Sequence, residues 1–168
     1  MNNKQIKNIF KEETYIVIDT REQNQYIKDT FQKFGIKYKI SKMNYGDFGI
    51  EVQGKRLKVA IERKANLSEL GNNLTNNKTR FEREMQRCID DDASMIIMIE
   101  SESYSNICNE KYKNNITSKQ YLGLLHSIYA KYNIPFIFIE KEFAPLFIYN
   151  ILKYKVREYL KMDRRNPL

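Results

Sequence analysis

The chain switches between two hydrophobic periods, and the switch points mark out its elements. Tyr15-Ile16-Val17-Ile18 is a short apolar run rich in β-branched residues, which predicts a buried strand; it stops at the polar Asp19-Thr20-Arg21-Glu22. A helix is expected from about Gln25 to Phe34, closed by Gly35. Ile36 to Ser41 predicts a second strand, leading into the turn-like Asn44-Tyr45-Gly46-Asp47. Phe48 to Val52 and Leu57 to Lys64 then predict a hairpin turning near Gln53-Gly54-Lys55.

Beyond Lys64 the period lengthens. Leu67, Leu70 and Leu74, and then Phe81, Met85 and Ile89, recur at helical spacing on either side of a polar connection from Asn72 to Lys78. Ser94 to Glu100 (SMIIMIE) is apolar on both faces, as in a strand covered by helices on each side. Ser118 to Tyr132 predicts a helix capped by Thr117 or Ser118, Pro135 to Glu140 (PFIFIE) a buried strand, and Phe143 to about Met162 a long terminal helix. The implied fold class is α/β with a mixed central sheet flanked by helices. No repeat, linker or low-complexity tract divides the chain: residues 1–14 are expected as a polar extension, 15–162 as one domain and 163–168 as a tail.

Composition narrows the class. With 168 residues, 42% hydrophobic and only 3 prolines, the chain can bury a core and is not of the disordered type. No run of 18 apolar residues exists, and the N-terminus lacks the apolar stretch of a signal peptide. Cys88 and Cys108 lie far apart without metal-type spacing, so reduced thiols and a cytoplasmic setting are expected. The 29 basic against 21 acidic side chains give +8, which suits either a polyanionic partner such as nucleic acid or a solvated surface in a Lys- and Asn-rich chain. Heavy use of Lys, Asn, Ile and Tyr fits an AT-rich genome, bacterial or phage.

The candidate chemistry lies between Asp47 and Lys64. Glu62 and Lys64 are two apart on a predicted strand and share a face, with Arg63 on the other. A hairpin can bring Asp47 beside Glu62, and two adjacent carboxylates repel unless a cation lies between them. Oxygen ligation of that kind suits Mg²⁺ or Mn²⁺, the metals that handle phosphates. Lys64 next to them can orient or deprotonate an attacking water, or neutralise charge on a phosphate. An E-x-K triplet alone is a frequent accident and reads equally as a solvent-facing ion pair. The apolar Val59-Ala60-Ile61 immediately before it argues for a site, because charges at the end of a buried strand are costly unless used.

The strings VIDTRE (17–22), YGDFGIE (45–51), IERKANLSEL (61–70) and RFERE (80–84) resemble, in order and spacing, the nuclease domain of XPF/Hef-type structure-specific endonucleases, part of the restriction-endonuclease-like superfamily. The resemblance implies a Mg²⁺-dependent endonuclease (Mn²⁺ as substitute) that cuts DNA, with branched or flapped DNA as the expected substrate. It implies Asp47 and Glu62 as metal ligands with the Arg63 carbonyl, Lys64 assisting the attacking water, Asp19 and Glu22 extending the acidic cluster, and Arg21 holding a phosphate. The residues agree in one respect: Asp19, Arg21 and Glu22 close a buried strand, where open α/β sheets place ligands. The family pattern E-R-K-x-x-x-D meets Ser68 at its last position, followed by Glu69; either Glu69 substitutes, or Ser68 caps the next helix.

Lys78, Arg80, Arg83 and Arg87 are candidate DNA contacts, the three arginines at i, i+3 and i+7 on one helical face; pairing with Glu82 and Glu84 on a solvated helix is the alternative. Arg63 joins Arg21 among the candidate phosphate contacts. His126 sits among Leu124, Leu125 and Ile128 and reads as packed. The terminal helix is apolar on more than one stripe (Phe147, Ile151 and Tyr154 beside Ile148, Leu152 and Val156), so a homodimer through it is expected, with burial under the N-terminal segment as the alternative. The resemblance also implies pairing through nuclease domains. The rival function is a non-catalytic DNA-binding or scaffolding module, which would not need Asp47, Glu62 and Lys64 together.

Overall fold

The structure, a computed structural model, describes residues 3–162. Its elements run α1 (Asn3–Glu12), β1 (Thr14–Ile18), α2 (Gln25–Lys33), β2 (Tyr38–Ile40), β3 (Phe48–Val52), β4 (Lys55–Arg56), β5 (Val59–Lys64), α3 (Leu67–Leu74), α4 (Lys78–Asp90), β6 (Ser94–Glu100), α5 (Tyr104–Cys108), α6 (Ser118–Tyr132), β7 (Phe136–Ile139) and α7 (Ala144–Met162). The α/β class and the mixed sheet are as the sequence implied. The strands lie in the order β2-β1-β3-β5-β6-β7, with β4 appended to β3. β1 pairs in parallel with β2 and antiparallel with β3; β3 runs antiparallel to β5, and β5, β6 and β7 are mutually parallel.

Two apolar layers cover the sheet. Leu67, Leu70 and Leu74 of α3, Phe81, Met85 and Cys88 of α4, and Tyr121, Leu125 and Ile128 of α6 pack on the face carrying Ala60, Ile97 and Ile99. Ile27 and Phe31 of α2 and Ile148, Leu152 and Val156 of α7 pack on the face carrying Ile16, Ile18, Ile50, Ile61 and Met98. β5 and β6 are therefore enclosed on both sides, which accounts for the unbroken apolar run SMIIMIE. Tyr121, fully buried, donates its hydroxyl to the Leu67 carbonyl at 2.7 Å and ties α6 to the start of α3.

Several expectations need correction. Residues 1–14 are not a bare extension: α1 spans most of them, with Ile6, Ile9 and Phe10 at helical spacing against α7, and Thr14 already belongs to β1. The expected long hairpin partner splits into β4 and β5, because Leu57 turns its N–H to Ile50 and the chain bends before Val59. β2 is shorter than drawn, α5 was not foreseen, and Ile89 is exposed while Cys88 takes its buried place. His126 is exposed and stacks near Tyr104 rather than packing inside. No helix among the described residues is long and apolar enough to cross a membrane. The tail, 163–168, lies outside the described residues.

Along α7 the two apolar stripes are mostly used within the chain. Ile148, Leu152, Val156 and Leu160 are buried against the sheet, while Tyr149 meets Phe10 of α1 edge to face, with ring centroids 6.1 Å apart. Phe143, Leu146 and Tyr154 stay exposed.

Candidate active site

Because β3 runs antiparallel to both β1 and β5, its first residue lies at the same sheet edge as their last ones. Phe48 is opposite both Ile18 and Ile61, so residue 47 stands beside the C-terminal ends of β1 and β5. Asp47 is fixed there by its backbone: its N–H donates to the Ile61 carbonyl at 2.9 Å, and its carbonyl accepts from Asp19 N at 2.8 Å. Its side-chain Oδ2 accepts the Arg63 N–H at 2.8 Å.

The preceding residue makes this approach possible. Gly46 has φ +69°, and a Cβ there would lie 2.7 Å from the Ala60 Cβ. Its N–H donates to Glu84 Oε1 at 2.9 Å, so a buried carboxylate on α4 holds the turn that presents Asp47.

Glu62 and Lys64 do share a face, the one toward α3 and α4, and both are buried. Lys64 Nζ donates to Glu62 Oε1 at 2.5 Å, lies 3.9 Å from Glu69 Oε1, and sits 4.9 Å from the centroid of the Phe81 ring. Glu62 Oε2 is buried with no hydrogen-bond partner among the described residues. Burial, and then the neighbouring Glu62, push the Asp47 carboxyl well above the usual carboxylate range. Burial likewise raises Glu62 against the opposing pull of Lys64. Burial acts to lower the Lys64 ammonium, but Glu62, Asp47 and Glu69 together outweigh it and hold the pKa above that of ordinary lysine. These carboxylates favour the charged, hydrogen-bond-donating form of Lys64.

Beside this pair lies an ionic frame. Asp19 is fully buried and both its oxygens are committed, Oδ1 to the Arg21 N–H and Nε at 2.9 and 2.6 Å, Oδ2 to the Met43 N–H at 2.6 Å. Burial acts to raise its pKa, but these donors hold it below ordinary aspartate. Asp19 thus does not open into the cleft; it shapes the loop and orients Arg21. The Arg63 guanidinium, on the opposite face of β5 as expected, grips Glu100 through two 2.7 Å bonds and lies 3.6 Å from Glu22 Oε2. With those donors spent on carboxylates, Arg63 contributes its backbone to the site rather than a free guanidinium. Glu22 Oε1 accepts from Asn24 N at 2.6 Å, and the residue borders the cleft.

These residues enclose an open cleft of about 350 Å³ lined by Arg21, Glu22, Asp47, Glu62, Arg63, Lys64, Glu69, Asn73, Asn77, Arg80, Phe81 and Glu84. The five carboxylates in that lining outnumber the four cations, so the cleft has room electrostatically for a further cation. Of the predicted basic run, Arg80 lines this cleft. Arg83 is exposed, Lys78 faces a groove between α4 and α6, and Arg87 reaches back to the Asn44 carbonyl at 2.8 Å. Ser68 does not cap α3; Asn66 does, and Ser68 Oγ accepts the Lys113 N–H at 2.9 Å. Glu69 instead faces the cleft, its Oε2 accepting the Ala65 N–H at 2.8 Å. Glu84, Glu100, Asn73, Asn77 and Phe81 were not read as site residues. Glu84 follows Phe81 by three on a helix, so a carboxylate on the buried face was visible in the string RFERE.

Among the described residues no group of three or more His, Cys, Asp or Glu side chains is arranged to hold a metal ion. Two carboxylates with raised proton affinity, one carrying an orphaned buried oxygen, do suit a hard divalent cation completed by backbone or water oxygens.

The ERCC4 domain matches residues 18–146. The fold is similar to the solved structure of XPF from Aeropyrum pernix, with TM-score 0.64 and 14% identity over 89% of this chain and 69% of that one. XPF from Aeropyrum pernix in complex with DNA gives TM-score 0.63 and 14% identity over 86% and 66%. No curated protein matches the chain.

Proposed function

The chain belongs to the ERCC4 domain family, and from that membership together with the cleft we propose that it is a Mg²⁺- or Mn²⁺-dependent endonuclease hydrolysing phosphodiester bonds in DNA. The observation that carries this reading is the paired, mutually repelling Asp47 and Glu62, with Glu62 Oε2 buried and unpartnered among the described residues, beside Lys64. Asp47, Glu62 and the Arg63 carbonyl would hold the metal, which when bound supplies Lewis acidity toward the phosphate and lowers the pKa of water.

The chain's own residues do the rest. Lys64 donates hydrogen bonds toward the attacking water or the charged phosphate oxygens, its orientation held by Glu62 and the Phe81 ring. Arg21, anchored through Nε to Asp19, and the exposed Arg80 present cations at the cleft for the phosphates of the substrate. Glu22, Glu69 and Glu84 keep the cleft acidic enough to favour a divalent ion. DNA as the polymer is supported by the DNA complex of the similarly folded archaeal XPF, and branched or flapped DNA by the family. Phe143, Leu146 and Tyr154, exposed on and before α7, support pairing of two copies at this end.

The test is cleavage of fork, flap, bubble and plain duplex DNA with Mg²⁺, Mn²⁺ or EDTA, by the wild type and by Asp47→Ala, Glu62→Ala and Lys64→Ala. Loss of cleavage in all three is the expected result, with DNA affinity retained and the variants still folded, though Glu62→Ala and Lys64→Ala each leave a buried charge unpaired and should melt earlier than wild type. Near wild-type cleavage by Glu62→Ala would remove the assignment. Binding without cleavage by the wild type under every metal condition would favour the scaffolding alternative.

A further inference from the structure

Arg21 belongs to two concavities. Beyond it, away from the acids, lies a shallow basin of about 500 Å³ lined by Thr20, Arg21, Lys42, Met43, Asn44 and Arg87. Three cations line this basin and no carboxylate does, in contrast to the acidic cleft next door.

The cations are held in a way that leaves their binding groups available. Arg21 is tied at Nε to Asp19, and Arg87 at Nε to the Asn44 carbonyl. The terminal nitrogens of both guanidinium groups make no hydrogen bond to any described residue, so each fork is oriented but unspent. Lys42 is exposed, and its ammonium likewise has no partner among the described residues. The loop that carries Lys42 is fixed from two directions: Arg56 Nη1 donates to the Lys42 carbonyl at 3.1 Å, and the Met43 N–H donates to Asp19 Oδ2 at 2.6 Å. Arg21 shares its charge with Asp19, ion-paired at 2.6 Å, and feels Asp47 and Glu84 on its cleft side, so Lys42 and Arg87 carry most of the basin's positive charge. Asp91 is engaged by the Tyr45 hydroxyl and by Lys58 at 3.4 Å.

We propose that this basin is a second phosphate subsite, which takes the DNA backbone at a phosphate beyond the one in the cleft. Oriented guanidinium forks match phosphate oxygens pairwise, and a lysine adds a point charge. The inference rests on the cleft reading above and adds a direction to it: the strand runs from Arg80 past Arg21 to Arg87 and Lys42. None of the three cations contacts a base in such an arrangement, so the subsite adds affinity and register without sequence preference.

The test uses wild type, Lys42→Ala, Arg87→Ala, the double variant and Lys42→Arg, with a flap substrate in EDTA and affinity followed by anisotropy against KCl. Each alanine should lower the slope of log affinity on log salt by about 0.7–0.9, the double by about twice that, and Lys42→Arg should keep the wild-type slope. The substrate is then shortened one nucleotide at a time on either side of the cut. Shortening one side should weaken wild type several-fold and leave the double variant nearly unaffected. Unchanged slopes in properly folded variants, or equal truncation losses in wild type and double variant, would overturn the subsite. Because binding is read without metal, a wild type that never cleaves but shows these slopes removes the hydrolytic reading and keeps the subsite. Metal-dependent cleavage with unchanged slopes does the reverse.

Discussion

Gly46→Ala tests whether the site depends on the close passage of its turn over β5. An L-residue at φ +69° is in the left-handed region, at a cost of about 1–2 kcal/mol. The new methyl would also lie 2.7 Å from the fully buried Ala60 Cβ and 3.3 Å from the Ile61 carbonyl oxygen. Carbon atoms prefer roughly 3.5–4.0 Å, so turn and strand must separate by about 1 Å, an overpacking cost of about 1–3 kcal/mol. Together these give roughly 2–5 kcal/mol. At about 2–4 °C per kcal/mol for a chain of this size, the melting temperature should fall by several degrees or more. The two components separate in a double-mutant cycle with Ala60→Gly, which removes the methyl being struck but not the dihedral strain. Coupling of about 1–3 kcal/mol in urea melts, favouring the pair, is the expected result. Since Asp47 follows directly, a displacement of about 1 Å should lower kcat on the order of 10²-fold in the single variant. A single variant as stable as wild type, or strictly additive effects in the cycle, would refute this account of Gly46.

Other consequences can be read with standard assays. Asp47 carries a pKa raised in the folded state, first by burial and then by Glu62, so the folded protein binds its proton more tightly than the unfolded chain and loses stability as pH rises from the ordinary aspartate range through the raised value. Asp47→Asn, which keeps an acceptor for the Arg63 N–H, should therefore raise the metal-free melting temperature at neutral pH, with the gain vanishing near pH 3; each tenfold change in proton affinity is worth about 1.4 kcal/mol. No gain at pH 7 in EDTA would mean the acids do not strain one another. Glu100→Ala leaves the Arg63 guanidinium with Glu22, 3.6 Å away, as its ion-pair partner and should cost about 3–5 kcal/mol in chemical denaturation; a loss below about 1 kcal/mol would show that the pair is not structural. Light scattering at micromolar concentration should find a dimer that Leu146→Glu dissociates, and a persistent wild-type monomer would rule out pairing through α7.

The sequence by itself determined the period-two and period-3.6 segments, and hence the class, because burial of one face leaves a repeat that neighbouring residues share. It also placed Glu62 and Lys64 on one side of β5 and Arg63 on the other, since the pleat of a strand alternates whatever surrounds it. The hairpin expected at Gln53-Gly54-Lys55 already joined Asp47 to Glu62. What set it beside Asp19 and Glu22 as well was the antiparallel pairing of β3 with β1, between distant segments, which no local period encodes. The assignment of charges to partners was also tertiary. Asp19 and Glu62 are both acids at strand ends, yet one has each oxygen satisfied by Arg21 and Met43 while the other keeps a buried oxygen free. Arg63 and Arg21 read alike as phosphate contacts until Glu100 was seen to occupy the first and Asp19 to hold only the Nε of the second. Residues 1–14 read as polar because only Ile6, Ile9 and Phe10 are apolar among lysines and asparagines; these three do stand at helical spacing, and the stripe they form is buried against α7.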